Sequence, residues 1–192
     1  MKKLFNFNLA LSLPLFASLT IFSCSKSSDA VPAETPLTSF LADSTVKITK
    51  TSGAYYEYGQ KFQSIKAGKI TRLGVRNPNP GTYRVAIWDA DTKTVVATKT
   101  VEQTTANTQS WNDISPLSIE ANKKYYVTYL SNNWFYVTPK AGGNFSYPFT
   151  KNNIIFLAYG YANSTVSALP KYPTNEPASY IAGYVDFTFQ PD

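Results

Sequence analysis

The side chains in this sequence that could do acid–base chemistry are carboxylates: Glu57, Asp89, Asp91, Asp113, Glu120, Glu176 and Asp186. Histidine is absent and Cys24 is the single cysteine. The commonest general base and the commonest metal ligand are therefore missing together. Histidine-dependent triads, zinc sites and disulfides are excluded. A glycosidase would need two carboxylates on facing walls of a cleft. Glu57 and Asp186 both fall in strand-like segments and are the pair to test. The alternative for each is a hydrogen bond to a turn or a tyrosine, or a salt bridge to a strand Lys or Arg. Asp89 and Asp91, two residues apart in "WDADTKT", are calcium candidates, because hard oxygen ligands at this spacing can hold Ca²⁺. The stretch lacks the further carboxylates and the glycine of an EF-hand loop. An aspartate bonding local amides in a tight turn accounts for it equally well. The expectation is a protein with no catalytic residue and no cofactor.

Aromatic side chains are the stronger compositional signal, with 14 Tyr, 12 Phe and 3 Trp. Tyrosine has an apolar body and a polar tip and suits a half-buried sheet face. Sugars can also stack their apolar C–H faces on exposed rings while nearby amides bond the hydroxyls. In "SNNWFYVTP", residues 131–139, two-residue alternation puts Phe135 and Val137 on one face and Trp134 with Tyr136 on the other. Asn132 and Asn133 precede them. Tyr159 and Tyr161 form a second same-face pair. These residues are the candidate ligand-stacking site, and cross-strand packing is the alternative reading.

The first residues read as an export signal. Lys2 and Lys3 form a positive start, and Leu9 to Phe22 is apolar or small apart from Ser12, Ser18 and Thr20. The run falls short of the ~20 apolar residues of a membrane span. "IFSC" then resembles the lipobox of bacterial lipoproteins, in which cleavage precedes a cysteine that becomes acylated. Residues 1–23 are thus expected to be a lipoprotein signal peptide, with Cys24 lipidated and the chain held to a membrane by several acyl chains. Ser25 after the cysteine is compatible with outer-membrane sorting, on either the periplasmic or the cell-surface face. Cleavage leaves 16 basic against 12 acidic side chains, a net +4. The lysines are scattered and no basic stripe suggests nucleic acid.

Residues 24–38 are small, polar and Pro-containing, and read as an acylated flexible tether. From Ser39 onward, short period-2 segments alternate with turn residues and no helical period is visible. In "TYRVAIW", Tyr83, Val85 and Ile87 alternate with Arg84, Ala86 and Trp88. "NPNPG" is a strong turn. The last strand sets Ile181, Gly183, Val185, Phe187 and Phe189 against Ala182, Tyr184, Asp186 and Thr188. Residues 39–192 are predicted to form one all-β domain: an antiparallel, jelly-roll-like sandwich of about 8–10 strands.

Several motifs occur in a recognisable order: "YEYGQKFQSIKAGKITRL", "PGTYRVAIWDADTKTVVA", "SWNDISPLSIEANKKYYVTY" and "YVDFTF". Together they resemble a bacterial family catalogued as a domain of unknown function. It is found in secreted, often multidomain proteins, some of which carry carbohydrate-active or immunoglobulin-like modules. The matching positions are Glu57, Gly59 and Phe62; Gly68, Ile70 and Thr71; Gly81, Thr82, Ile87 and Trp88; Trp111; Tyr125 and Tyr129; Val185 and Asp186. The chain departs from the family pattern at Tyr83, where a His is frequent, at Gly74, where an Arg is frequent, and at Ser110, where a Gly precedes the tryptophan. The resemblance implies an extracytoplasmic β-sandwich and supplies no reaction.

The function expected from these observations is an exported, lipid-anchored, non-catalytic module that binds a glycan or surface polymer. The alternatives are a structural or adhesive subunit contacting another protein, and a hydrolase working with carboxylates alone.

Overall fold

The computed structural model describes residues 31–177 and 180–192. The compact unit runs from Val31 to Asp192. Among the described residues, one short helix, α1 (Pro36–Asp43), is followed by ten strands: β1 (Val46–Ser64), β2 (Gly68–Val75), β3 (Gly81–Asp89), β4 (Thr94–Gln103), β5 (Ser110–Ile119), β6 (Lys124–Pro139), β7 (Phe149–Lys151), β8 (Ile154–Asn163), β9 (Ile181–Ala182) and β10 (Val185–Pro191). A seven-stranded sheet has the order β4-β3-β6-β1-β8-β7, with β9 also paired to β6, and a three-stranded sheet has the order β10-β2-β5. All the strand pairs are antiparallel. The fold is a β-sandwich.

The alternation read from the sequence sets the two faces of the large sheet. Tyr83, Val85 and Ile87 point into the main core with Phe62, Tyr125, Val127, Tyr129, Phe187 and Phe189. Ala86 and Trp88 stand on the opposite face with Tyr126, in a second cluster covered by Tyr172. Tyr172 belongs to the Pro-rich excursion after β8, which straps this outer face. The strap is fastened by the Tyr172 hydroxyl donating to the Ala90 carbonyl (3.3 Å), by Arg84 donating to the Ala168 carbonyl, and by the Lys61–Glu176 ion pair (2.8 Å). The sheet thus carries buried aromatic residues on both sides, beside a polar network on the strapped face.

Two sequence expectations change. The tether was predicted to run to residue 38, with no helix after it. Instead Glu34 pairs with Phe189, by Glu34 N–H to Phe189 O (2.7 Å) and Phe189 N–H to Glu34 O (2.8 Å), and α1 follows with Leu37 and Leu41 buried. Eight residues are too few to show a helical period. Pro36 opens the helix, where its missing N–H costs nothing, and Thr35 makes no side-chain cap. The cap comes from a distant strand: Asp186 accepts from the Leu37 and Thr38 amides, at 3.2 and 2.7 Å. The single final strand is also two. Gly183, at φ +79°, breaks the run, so β9 pairs with β6 in the large sheet and β10 pairs with β2 in the small one. A Cβ there would lie 2.3 Å from Tyr58 and 2.5 Å from Tyr129, so both the conformation and the packing require glycine.

Candidate functional site

Three neighbouring strands and the approach to β9 build an aromatic cleft of about 300 Å³. β6 supplies Trp134 and Tyr136, β8 supplies Tyr159 and Tyr161, and β1 supplies Thr51, Tyr56 and Tyr58. Tyr180 and Ala182 complete it. The placement follows from register. Tyr58 sits opposite Tyr129 on one side and Tyr161 on the other. The β1–β6 register then shifts between Ser52 and Tyr56. Such an irregularity re-aims side chains, and the Trp134 indole comes to lie against both Tyr56 and Tyr58, at centroid distances of 5.7 and 5.6 Å. Gly53, within the irregular stretch, leaves room for it: a Cβ there would meet the indole at 3.3 Å.

The rings form a continuous horseshoe. Tyr136 packs on Tyr180 (4.5 Å), Tyr180 on Tyr159 (5.3 Å), Tyr159 on Tyr161 (6.3 Å) and Tyr161 on Tyr56 (5.7 Å), and Tyr56 closes on Trp134. All these separations lie in the range favoured by aromatic pairs. The ring planes meet at 85° for Tyr56–Trp134 and 87° for Tyr56–Tyr161, so the cleft has upright walls as well as stacked ones. Trp134, Tyr136 and Tyr161 are half-buried, and Tyr159 is buried. Burial raises the pKa of the Tyr58, Tyr159 and Tyr180 phenols, which therefore remain hydroxyls at neutral pH. None of the described lining residues carries a charge.

The two aromatic pairs singled out from the sequence thus converge on one site. Asn132 and Asn133 do not join them. They line a separate depression with Tyr83 and Arg84. The Asn133 carbonyl accepts from the Tyr58 hydroxyl (3.2 Å) and from Asn77 Nδ2 (2.8 Å), beside the shift in β1–β6 register. Tyr56, Tyr58 and Tyr180 are cleft residues that the sequence did not single out. Tyr56 and Tyr58 stand two residues apart in "YYEYG" on β1, so alternation did carry a signal for them; Tyr180, outside any strand, enters by packing.

The carboxylates have structural partners. Glu57, fully buried, accepts from Arg84 Nη2 (2.6 Å) and from the Thr128 hydroxyl (2.9 Å), on the strapped face of the large sheet. Burial raises its pKa, opposed by Arg84 and Thr128. Asp186 belongs to the small sheet, where burial pushes its pKa up to about 6 against the opposing amides of Thr38, Phe187 and Leu37. The pair suspected of converging lies in different sheets and shares no hydrogen-bond partner. Asp89 Oδ1 accepts from the Asp91 and Thr92 amides, both at 3.0 Å, and Oδ2 pairs with Lys123 at 3.1 Å. The turn amides of Thr92, then Lys123, lower its pKa. This is the local turn reading, and Asp91 is exposed beside it. Cys24 lies outside the described residues.

The family-motif positions form framework rather than a site. Phe62, Ile70, Tyr125 and Tyr129 are core. Gly59 admits Val127 O, which would lie 1.8 Å from an added Cβ, and Gly68 admits Gln190 O at 2.4 Å. Gly81 starts β3 beside the Tyr83 ring. Trp111 covers Gly74, whose added Cβ would meet the indole at 2.4 Å, and it receives Arg72 at 5.5 Å. An arginine at position 74 would displace that indole.

Comparison with known proteins agrees with this distribution. Residues 42–182 match the family model described as Domain of unknown function (DUF4082). The match includes every motif position above except Val185 and Asp186. No curated protein matches the chain.

Proposed function

The chain belongs to the DUF4082 family, a domain of unknown function, and from that premise we propose that it is an exported, lipid-anchored binding module that takes a glycan or surface polymer in the aromatic cleft. The observation that carries this reading is the convergence of Trp134, Tyr136, Tyr159 and Tyr161 on one concave surface. Concave, mostly apolar pockets with a few polar groups are the usual form of a small-ligand site. The buried carboxylates are engaged in the framework, which favours binding over hydrolysis. Acylation at Cys24 would hold the module on the outer membrane with several chains.

A glycan-array screen of the full chain, with Trp134→Ala beside it, tests the binding reading. Retention of particular glycans that is lost in Trp134→Ala supports it. No retention across a broad array of neutral and cation-substituted glycans turns the assignment toward the structural or adhesive role. That second reading has its own observation. Val95 and Val96 on the outermost strand β4 are 38% and 42% exposed, and Leu169 on the strap is 85% exposed. For the anchor, metabolic labelling with a lipid probe is expected to fail in Cys24→Ala, and equal labelling in that variant would refute acylation there.

A further inference from the structure

From the shape and chemistry of the cleft we infer that the group seated in it is a quaternary ammonium, such as a choline substituent carried by a surface polymer. This deepens the proposed function and rests on reading the cleft as a ligand site.

The argument begins with what the lining lacks. The nine described residues that line it include no Asn, Gln, Asp, Glu, Arg or Lys, and the side-chain polar groups among them are the Thr51 hydroxyl, the tyrosine hydroxyls and the Trp134 indole N–H. A neutral sugar seated there would find no amide or charged group to bond the hydroxyls that face the cleft, and an unpaired desolvated polar group is expensive. A primary ammonium would bring three N–H donors with the same need. A quaternary ammonium has no donor to satisfy. Its charge is spread over methyl groups, and it is attracted by the negative face of each aromatic ring.

The arrangement of the rings points the same way. A sugar ring stacks on a flat platform. Here Tyr56 stands at 85° to Trp134 and at 87° to Tyr161, while Tyr58 meets Trp134 at 61°. Tyr180 and Tyr136 close another side. Walls at right angles enclose a rounded group from several directions. No lining carboxylate is required where aromatic faces supply the negative potential. No lysine or arginine stands among the described lining residues to repel a cation.

The test uses the full chain in a polyoxyethylene detergent, which carries neither sugar nor choline, and reads ligand binding by calorimetry and tryptophan fluorescence. Choline is compared with 3,3-dimethyl-1-butanol, which has nearly the same shape without the charge, and with ethanolamine. Choline is expected to bind about tenfold more tightly than the neutral isostere, a margin set by cation–π attraction. Trp134→Phe should weaken choline binding, because a smaller ring face replaces the indole. The ligand comparison is made on the unmutated protein, so it does not depend on a variant folding. Equal binding of choline and its isostere would overturn the inference in favour of simple apolar burial. Binding of neutral glycans without choline would overturn it while leaving the cleft as the ligand site. Failure of every ligand would overturn both readings.

Discussion

Trp88 and Glu57 do not bond each other, yet one hydroxyl ties them together. Trp88 Nε1 donates to Thr128 Oγ1 at 2.9 Å, and the same hydroxyl donates to Glu57 Oε1 at 2.9 Å. Arg84 holds the other carboxylate oxygen. The chain Trp88–Thr128–Glu57–Arg84 crosses β3, β6 and β1 on the strapped face of the large sheet. It joins two motif positions, one on β1 and one on β3, through the strand between them.

Thr128→Val should therefore act at both ends. Valine keeps the shape and removes the relay, leaving the buried indole N–H and one carboxylate oxygen without their partner. The expected loss is about 1–3 kcal/mol, read from the shift in denaturation midpoint. A double variant with Trp88→Phe should lose less than the sum of the two single changes. Strict additivity would show that the relay contributes nothing.

Arg84→Met leaves Glu57 charged and buried without its ion-pair partner. Breaking such a pair costs about 3–5 kcal/mol, and adding Glu57→Gln in the same chain should recover much of it. The pH dependence has a definite sign. An unpaired Glu57 has a folded-state pKa further above its unfolded value, so the folded state binds more protons. The variant should become relatively more stable as pH falls from 7 toward the unfolded carboxylate range. A deficit independent of pH would show that Arg84 acts by packing alone.

Asp186 predicts a second pH effect in the intact protein. Its folded pKa, about 6, lies above the ordinary 3.8. The stabilisation linked to this group is full below the unfolded pKa and is lost as pH rises through about 6. Asp186→Asn should flatten that slope, measured as the difference between wild-type and variant denaturation midpoints from pH 4 to 7. A constant difference across that range would contradict the assignment. Asn offers one acceptor to the two amides of α1, so helix docking should also weaken.

Glycines 142 and 183 separate backbone strain from packing. Gly142 has φ +84° with nothing within 4 Å of an added Cβ, whereas Gly183 has φ +79° and two tyrosine rings in the way. Gly142→Ala should cost about 1–2 kcal/mol from conformation alone. Gly183→Ala should cost a further ~1–3 kcal/mol from overpacking. Equal losses at the two sites would mean that the rings at Gly183 move aside freely.

Alternation along single strands was the legible part of this sequence. It set Tyr83, Val85 and Ile87 on one face and Arg84, Ala86 and Trp88 on the other, and it paired Trp134 with Tyr136 and Tyr159 with Tyr161. Which of the same-face pairs converge depends on pairing between strands. Tyr56 and Tyr58 form such a pair on β1, but only the β1–β6 and β1–β8 registers bring them to Trp134 and Tyr161, and Tyr180 enters by packing. Asn132 and Asn133 were placed beside the rings by adjacency, but they sit at the irregular β1–β6 pairing and line a different depression. Gly183 was visible as a glycine inside an alternating run, a sign of irregularity, yet the change of sheet depends on Tyr58 and Tyr129. The helix went unseen because its cap, Asp186, lies 149 residues from Leu37.

The bridge between Glu34 and Phe189 bears on how the domain would carry load. Segments before residue 34 and after residue 189 emerge side by side on one antiparallel pair. A polypeptide passing through the domain therefore enters and leaves at almost the same point. Tension between the two ends would load the two backbone hydrogen bonds of that bridge together with the end of the β10–β2 pairing, where Gln190 and Pro191 face Lys69 and Gly68. A strained chain would carry the domain beside it as a pendant.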